Sequence, residues 1–373
     1  MAHGKEVHSL ITIRDEDRHN RLRRSVANAF TQSTTLDYER HIDRTIEELL
    51  KALNQKHTFD MSRTMAYFGL DAASSFSFNT SQGCLAADAD IADMLAVTRS
   101  RMRHWSRWGS LPGLERLLLR NSIAARTRQA PQSGIVSAAR THLAQRTTNP
   151  QKPSESPDLL TRFLEARARN PEILDDTAVV TLLIAIIAAG SDTSSNAIAA
   201  TMFFLLKDPS KLAALRAELK TVDVLTRPIP AYAQINKLPY LHAVLKEAIR
   251  LFPPLTHPIE RLVPAGGADV VGKFLPQGTS VGCLQIAMHL NPKVFGDDAA
   301  VFRPERWLEA SAEQLRVMEV AHMGFGRGRR VCIGQHIAWM EMKKALVAMV
   351  LGFEVSSFFV PAVFLQHVRA FVL

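Results

Sequence analysis

Residues 324 to 350 read GFGRGRRVCIGQHIAWMEMKKALVAMV. A glycine-dense loop presents one cysteine, Cys332, and a last helix follows over 334 to 352. Gly326 and Gly328 can take a positive φ and let backbone approach a ligand closely. The loop amides, the helix N-terminus and the surrounding arginines favour a thiolate over a thiol. A thiolate held this way is a ligand for a soft or borderline metal, or a nucleophile. Three other readings compete. A lone cysteine is usually a small buried hydrophobe, which the glycines and arginines argue against. Zinc through Cys332 and His336 has the local reach but lacks a second close-spaced ligand pair. A Cys–His hydrolase remains open, although spacing assigns it no base.

Outward from this segment, the 373 residues are 47% apolar and 22% charged, which is globular and excludes disordered, collagen-like and disulfide-stapled chains. The net charge of +9 favours acidic partners or anionic surfaces, though a solvated basic surface is the plainer reading. Cys84, Cys283 and Cys332 are too few, and odd in number, for a disulfide framework. The first twenty residues hold no apolar core of a signal peptide or anchor. Two apolar stretches need weighing as membrane spans. The one over 178 to 206 is interrupted by SDTSSN (191 to 196), so it reads as a buried helix with a polar notch. The one over 345 to 373 is broken by Glu354, Pro361, Gln366, His367 and Arg369.

Periodicity predicts helices over 15–30, 36–53, 62–77, 88–104, 114–129 and 134–147, a Pro- and Ser-rich loop over 147–158, and a long helix from Asp175 and Asp176 to Lys207. Helices at 210–221 and 239–252 follow, and strands are confined to about 260–284. The fold class is mainly α with a small β-sheet region.

Inside the long helix, AAGSDTSSN (188 to 196) places a glycine where Ala would be favoured by about 1 kcal/mol, so Gly190 suggests a need for space. Thr193 can bond back to the Ala189 carbonyl and loosen the helix locally. The plainer reading is a helix kinked for packing. Glu247 and Arg250 share a helix face at i, i+3; such a pair is usually a surface salt bridge worth under about 1 kcal/mol. FRPERW (302 to 307) supplies a second arginine, Arg306, beside Trp307.

These segments resemble, in order, the motifs of the cytochrome P-450 family. FGRGRRVCIG matches F-x-x-G-x-R-x-C-x-G through Phe325, Gly328, Arg330, Cys332 and Gly334. AAGSDTSSN is similar to the oxygen-activation motif, Glu247 and Arg250 to E-x-x-R, and FRPERW to P-E-R-F. The resemblance implies haem b (iron protoporphyrin IX) with Cys332 as its thiolate iron ligand. It implies Phe325 beside the sulfur, Gly326 in the cradle, and Arg330 on a propionate. Arg23 with His19, which replaces the family's Trp, and Arg261 would meet the propionates too. Ala189 and Gly190 would border the iron, Asp192 and Thr193 would deliver protons, and Glu247, Arg250 and Arg306 would form a structural triad.

The implied activity is insertion of one atom of O2 into a lipophilic small molecule. Electrons would come from NADPH through cytochrome P-450 reductase; no nucleic-acid partner is expected. A haem-thiolate isomerase or dehydratase, or a defective haem-binding fragment, is the alternative. The closest type is the fungal microsomal one that resembles pisatin demethylase, in secondary metabolism or detoxification. Its full-length members sit on the cytosolic face of the endoplasmic reticulum membrane. The expected layout is a haem domain over 1–355 without the family's anchor and first layer, hence cytoplasmic as written, and an atypical apolar tail over 356–373.

Overall fold

The computed structural model describes residues 9–109, 111–119, 133–148, 156–222, 229–258 and 260–355. The expected apolar tail, residues 120–129 of the predicted 114–129 helix and residues 149–155 of the predicted 147–158 loop lie outside the described residues. Contacts divide the chain into two compact units, Met1–Leu238 with Ile333–Leu373, and Pro239–Cys332.

Among the described residues of the first unit the helices of eight residues or more are α1 (Glu16–Val26), α2 (Glu39–Asn54), α3 (Met61–Phe78), α4 (Met94–Trp108), α5 (Pro112–Leu119), α6 (Gly134–Thr148), α7 (Leu159–Arg169), α8 (Asp176–Lys207) and α9 (Pro209–Leu219). The second unit holds α10 (Pro239–Leu251) and α11 (Ala312–Ala321), and the first unit resumes with α12 (Gln335–Gly352).

Carboxylate caps set several starts. Asp15 accepts from the Arg18 amide at 2.7 Å, Asp60 from Arg63 at 3.0 Å and Asp175 from Ala178 at 2.7 Å. Each satisfies an amide that the helix itself leaves bare. The predicted 88–104 helix begins later, at Met94, because Asp88, Ala92 and Asp93 take positive φ. The Asp90 carboxylate then caps Leu95 and Ala96 at 3.0 and 2.8 Å. The predicted first helix likewise ends at Val26 and continues as a 3-10 turn over Ala27–Phe30.

The core of the first unit is α3 against α8, with α6 and α12 also on α8 and α2 on α3 and α12. α3 is buried nearly throughout. α8 is long and apolar enough to cross a membrane by length and composition, yet Leu183, Ile187 and Ile198 are buried in this packing. The close approach of α3 and α8 depends on Gly69, where a Cβ would lie 2.2 Å from the Ser191 carbonyl oxygen.

In the second unit the strands form two antiparallel ribbons rather than one sheet. β1 (Arg261–Leu262) pairs with β4 (Ser280–Val281), Arg261 opposite Val281. β2 (Ala268–Val270) pairs with β3 (Lys273–Leu275), Asp269 opposite Phe274. Ala243 of α10, Phe295, Ala299, Trp307, and Met318 and Ala321 of α11 make an apolar cluster.

Candidate functional site

In the second unit the Cys332 loop is a closed set of turns. The Gly326 amide donates to the Met323 carbonyl at 2.8 Å, and the Cys332 amide to the Phe325 carbonyl at 2.8 Å. Gly326 and Gly328 have φ of 70° and 69°, which side chains disfavour, and Gly328–Arg330 is one 3-10 turn. A Cβ on Gly326 would meet nothing nearer than the Arg330 carbonyl at 3.9 Å, and one on Gly328 nothing within 4 Å. The glycines are therefore there for backbone shape. Cys332 is exposed, Phe325 and Arg330 are half-buried, and no disulfide involves the cysteine. Arg261 is exposed on β1, with Nη1 on the Glu260 carbonyl at 3.0 Å.

The Glu247–Arg250–Arg306 cluster is buried, not a surface pair. All three side chains are at most 2% exposed. Arg250 binds the Glu247 carboxylate in two places, Nη2 to Oε1 at 2.7 Å and Nε to Oε2 at 2.9 Å. Arg306 Nε donates to Oε1 at 2.8 Å and Trp307 Nε1 to Oε2 at 2.9 Å. Most of the remaining guanidinium hydrogens hold backbone: Arg250 Nη1 donates to the His289 and Ala299 carbonyls, both at 2.6 Å, and Arg306 Nη1 to the Phe295 carbonyl at 2.5 Å, while Arg306 Nη1 also donates to Asp298 Oδ1 at 2.9 Å. Burial alone would lower the Arg306 guanidinium, but Glu247 and Asp298 outweigh it and hold it above its ordinary value. Removing one member of such a set leaves a buried charge uncompensated, at about 3–5 kcal/mol.

In the first unit, Thr193 is exposed on α8, and its hydroxyl donates to the Ala189 carbonyl at 2.8 Å. A Cβ on Gly190 would meet only Ala73 Cβ at 3.8 Å, an ordinary contact. Packing within the protein thus does not require glycine at 190; the packing demand falls on Gly69. Asp192 is half-buried, and burial raises its carboxyl above the usual range, with Arg99 opposing and Asp90 adding to the shift. His19 and Arg23 lie one turn apart on α1, His19 1% exposed and Arg23 half-buried.

Whether these residues fit a haem is a question of donors and room. Among the described residues no group of three His, Cys, Asp or Glu side chains is placed to hold a metal ion. One exposed cysteine in a loop where Cβ atoms do not crowd would fit haem, whose iron would need a single ligand from this loop. Four features escaped the sequence reading: Gly69, Trp307 as a donor to the triad, His289 with His322, and Glu341. For His289 the available signal was its place before Asn291-Pro292, a turn start.

A family model described as cytochrome P-450 matches residues 3–359. The chain is 32% identical over 368 residues to a cytochrome P-450 monooxygenase of Aspergillus flavus, covering 95% of this chain and 72% of that protein. It is 31% identical over 360 residues to the cytochrome P-450 monooxygenase mpaDE of Penicillium brevicompactum, covering 93% of this chain but 42% of that longer protein. The chain thus spans less than half the length of the latter relative. It also matches the crystal structure of a cytochrome P-450 with a TM-score of 0.76 at 26% identity, over 92% of this chain and 74% of that one. A shared fold and matches of this length carry one conclusion: the chain belongs to the cytochrome P-450 family.

Proposed function

We propose that the chain is a haem-thiolate monooxygenase that hydroxylates or oxidatively demethylates a lipophilic small molecule in fungal secondary metabolism or detoxification. The observation that carries this is the Cys332 loop, whose amide-closed turns present a single thiol among arginines. Haem b, when bound, supplies the activation of O2 and the transfer of one oxygen atom. The protein's part is to hold and to protonate. Cys332 gives the thiolate, Phe325 shields it, and Arg330, Arg23, His19 and Arg261 offer donors to the haem carboxylates. Thr193 and Asp192 hold the proton at the oxygen-binding side. Asp192 suits this because burial keeps its carboxyl more basic than a surface one. The triad keeps the segment before the loop in place. NADPH, through a flavoprotein reductase, is the electron source in this reading, and the cytosolic face of the endoplasmic reticulum is the place of action of full-length relatives.

The test is the reduced carbon monoxide complex of the haem-loaded chain. The parent is expected to show the red-shifted Soret band of thiolate ligation, and Cys332→Ser to lose it. A band that survives in Cys332→Ser would pass the ligand role to another residue. Dependence of turnover on both NADPH and O2 separates the monooxygenase from an isomerase or dehydratase, which would need neither.

A further inference from the structure

His289 ends the short helix Gln285–His289 and is fully buried. Both ring nitrogens are used. Nδ1 lies 2.9 Å from the Arg250 carbonyl, which can only accept, so the proton is on Nδ1. Nε2 accepts from the Met323 amide at 2.9 Å. In return, Arg250 Nη1 donates to the His289 carbonyl at 2.6 Å. The Arg250 carbonyl is one of the last four of α10, which have no partner within their own helix. His289 therefore joins the end of α10 to the second residue after α11.

Met323 is the start of the Cys332 loop. Its carbonyl takes the Gly326 amide, and two residues on, the Phe325 carbonyl takes the Cys332 amide. The surroundings leave this entry little freedom. The His322 ring stacks on His289 with centroids 5.2 Å apart and planes 13° apart, and its Nε2 lies 3.3 Å from the Lys246 carbonyl. Trp307, held by Glu247, meets His322 edge-on at 5.6 Å. Gly324 lies so close to α10 that a Cβ would come within 2.4 Å of Ile249 Cγ2.

We propose that His289 is a positioning residue for the Cys332 ligand: by fixing the Met323 amide to the end of α10, it sets the turn from which Phe325 receives the Cys332 amide. The proposal rests on Cys332 being the thiolate ligand. It assigns to His289 a role distinct from the triad, which holds the carbonyls of His289, Phe295, Asp298 and Ala299 but does not itself bond to Met323.

Two substitutions divide the two bonds. In His289→Gln the amide oxygen reaches the place of Nε2 and can accept from Met323. In His289→Asn the amide can serve Arg250 but falls short of Met323. The expected result in the haem-loaded chain is a roughly tenfold larger ratio of blue-shifted to red-shifted carbon monoxide complex in His289→Asn than in His289→Gln. The haem-free chain should show the same order in tryptic cleavage at Arg327, Arg329 and Arg330, with Asn the faster. Met318→Ala, which opens the apolar cluster without a hydrogen bond to the loop, should lower stability but leave both readouts near parental. Equal behaviour of Asn and Gln, or of Asn and Met318→Ala, would overturn the proposal. Amide exchange in the unsubstituted chain reads the link without any variant. Met323 and Cys332 should exchange together and slowly, and fast exchange at Met323 beside slow exchange at Cys332 would overturn the proposal as well. If Cys332→Ser keeps its red-shifted band, the ligand reading itself falls; if it loses the band while Asn equals Gln, only the role of His289 does.

Discussion

Glu341 offers a stability test that needs no haem. It lies on α12, 2% exposed, hydrogen-bonded to Ser194 of α8, and among the described residues its Oε1 has no hydrogen-bond partner. Burial pushes its carboxyl up to about 8, from 4.5, and the Ser194 hydroxyl opposes this only in part. The folded chain therefore binds a proton at pH 7 that the unfolded chain has released. With the folded value raised, stability is greatest below 4.5 and falls as pH rises towards 8. Between 4.5 and 7 the loss, at about 1.36 kcal/mol per pH unit, comes to roughly 3 kcal/mol. Glu341→Gln has no charge to lose. Its second amide hydrogen is one more buried donor without a partner, a cost of about 1 kcal/mol. The variant should then be more stable than the parent by about 2 kcal/mol at pH 7, and less stable by about 1 kcal/mol near pH 4.5. Urea unfolding of both chains from pH 5 to 8, followed by circular dichroism, measures the difference directly. A difference that does not change with pH would refute the reasoning, because the carboxyl would then titrate alike in the folded and unfolded chain.

Gly69→Ala should cost at least about 2 kcal/mol, since its Cβ meets the Ser191 carbonyl at 2.2 Å in a packed helix crossing, whereas Gly190→Ala should stay within about 1 kcal/mol of the parent; paired thermal melts compare them, and equal losses would void the packing argument. Thr193→Ala removes the hydroxyl bonded to Ala189 and, in the proposed enzyme, should still consume NADPH and O2 while diverting flux to peroxide. Product and peroxide per NADPH measure this, and full coupling would reduce Thr193 to a helix residue. Arg306→Leu should destabilise the chain by about 3–5 kcal/mol by leaving Glu247 short of a partner, which denaturant midpoints would show.

What the sequence made legible was chemistry confined to neighbours in the chain. The Cys332 loop is one such case: glycines, arginines and the cysteine serve one backbone shape within ten residues, and the turns seen at Gly326 and Gly328 are the ones their types suggest. The Thr193 bond to Ala189 is another, because i to i−4 is a fixed distance in any helix. The helix start at Met94 was not legible, since positive φ at Ala92 and Asp93 has no sign in residues that ordinarily favour helix or turn.

Glu247 and Arg250 show where local spacing misleads about weight. At i, i+3 they read as a pair worth little, because exposed pairs are worth little. Their weight comes from Arg306, 59 residues after Glu247, and from burial that leaves both side chains wholly unexposed. His289 is the same problem without even a local partner to announce it. Its two bonds run 39 residues back and 34 forward, so no window of sequence contains them. A buried histidine gains from neither partner alone. With one nitrogen bonded and the other bare it would carry the cost of a buried polar atom, so the site holds together only when the end of α10 and the entry to the Cys332 loop arrive at once. That mutual dependence makes the loop's position a property of the folded unit, while the loop's chemistry can be read from ten residues.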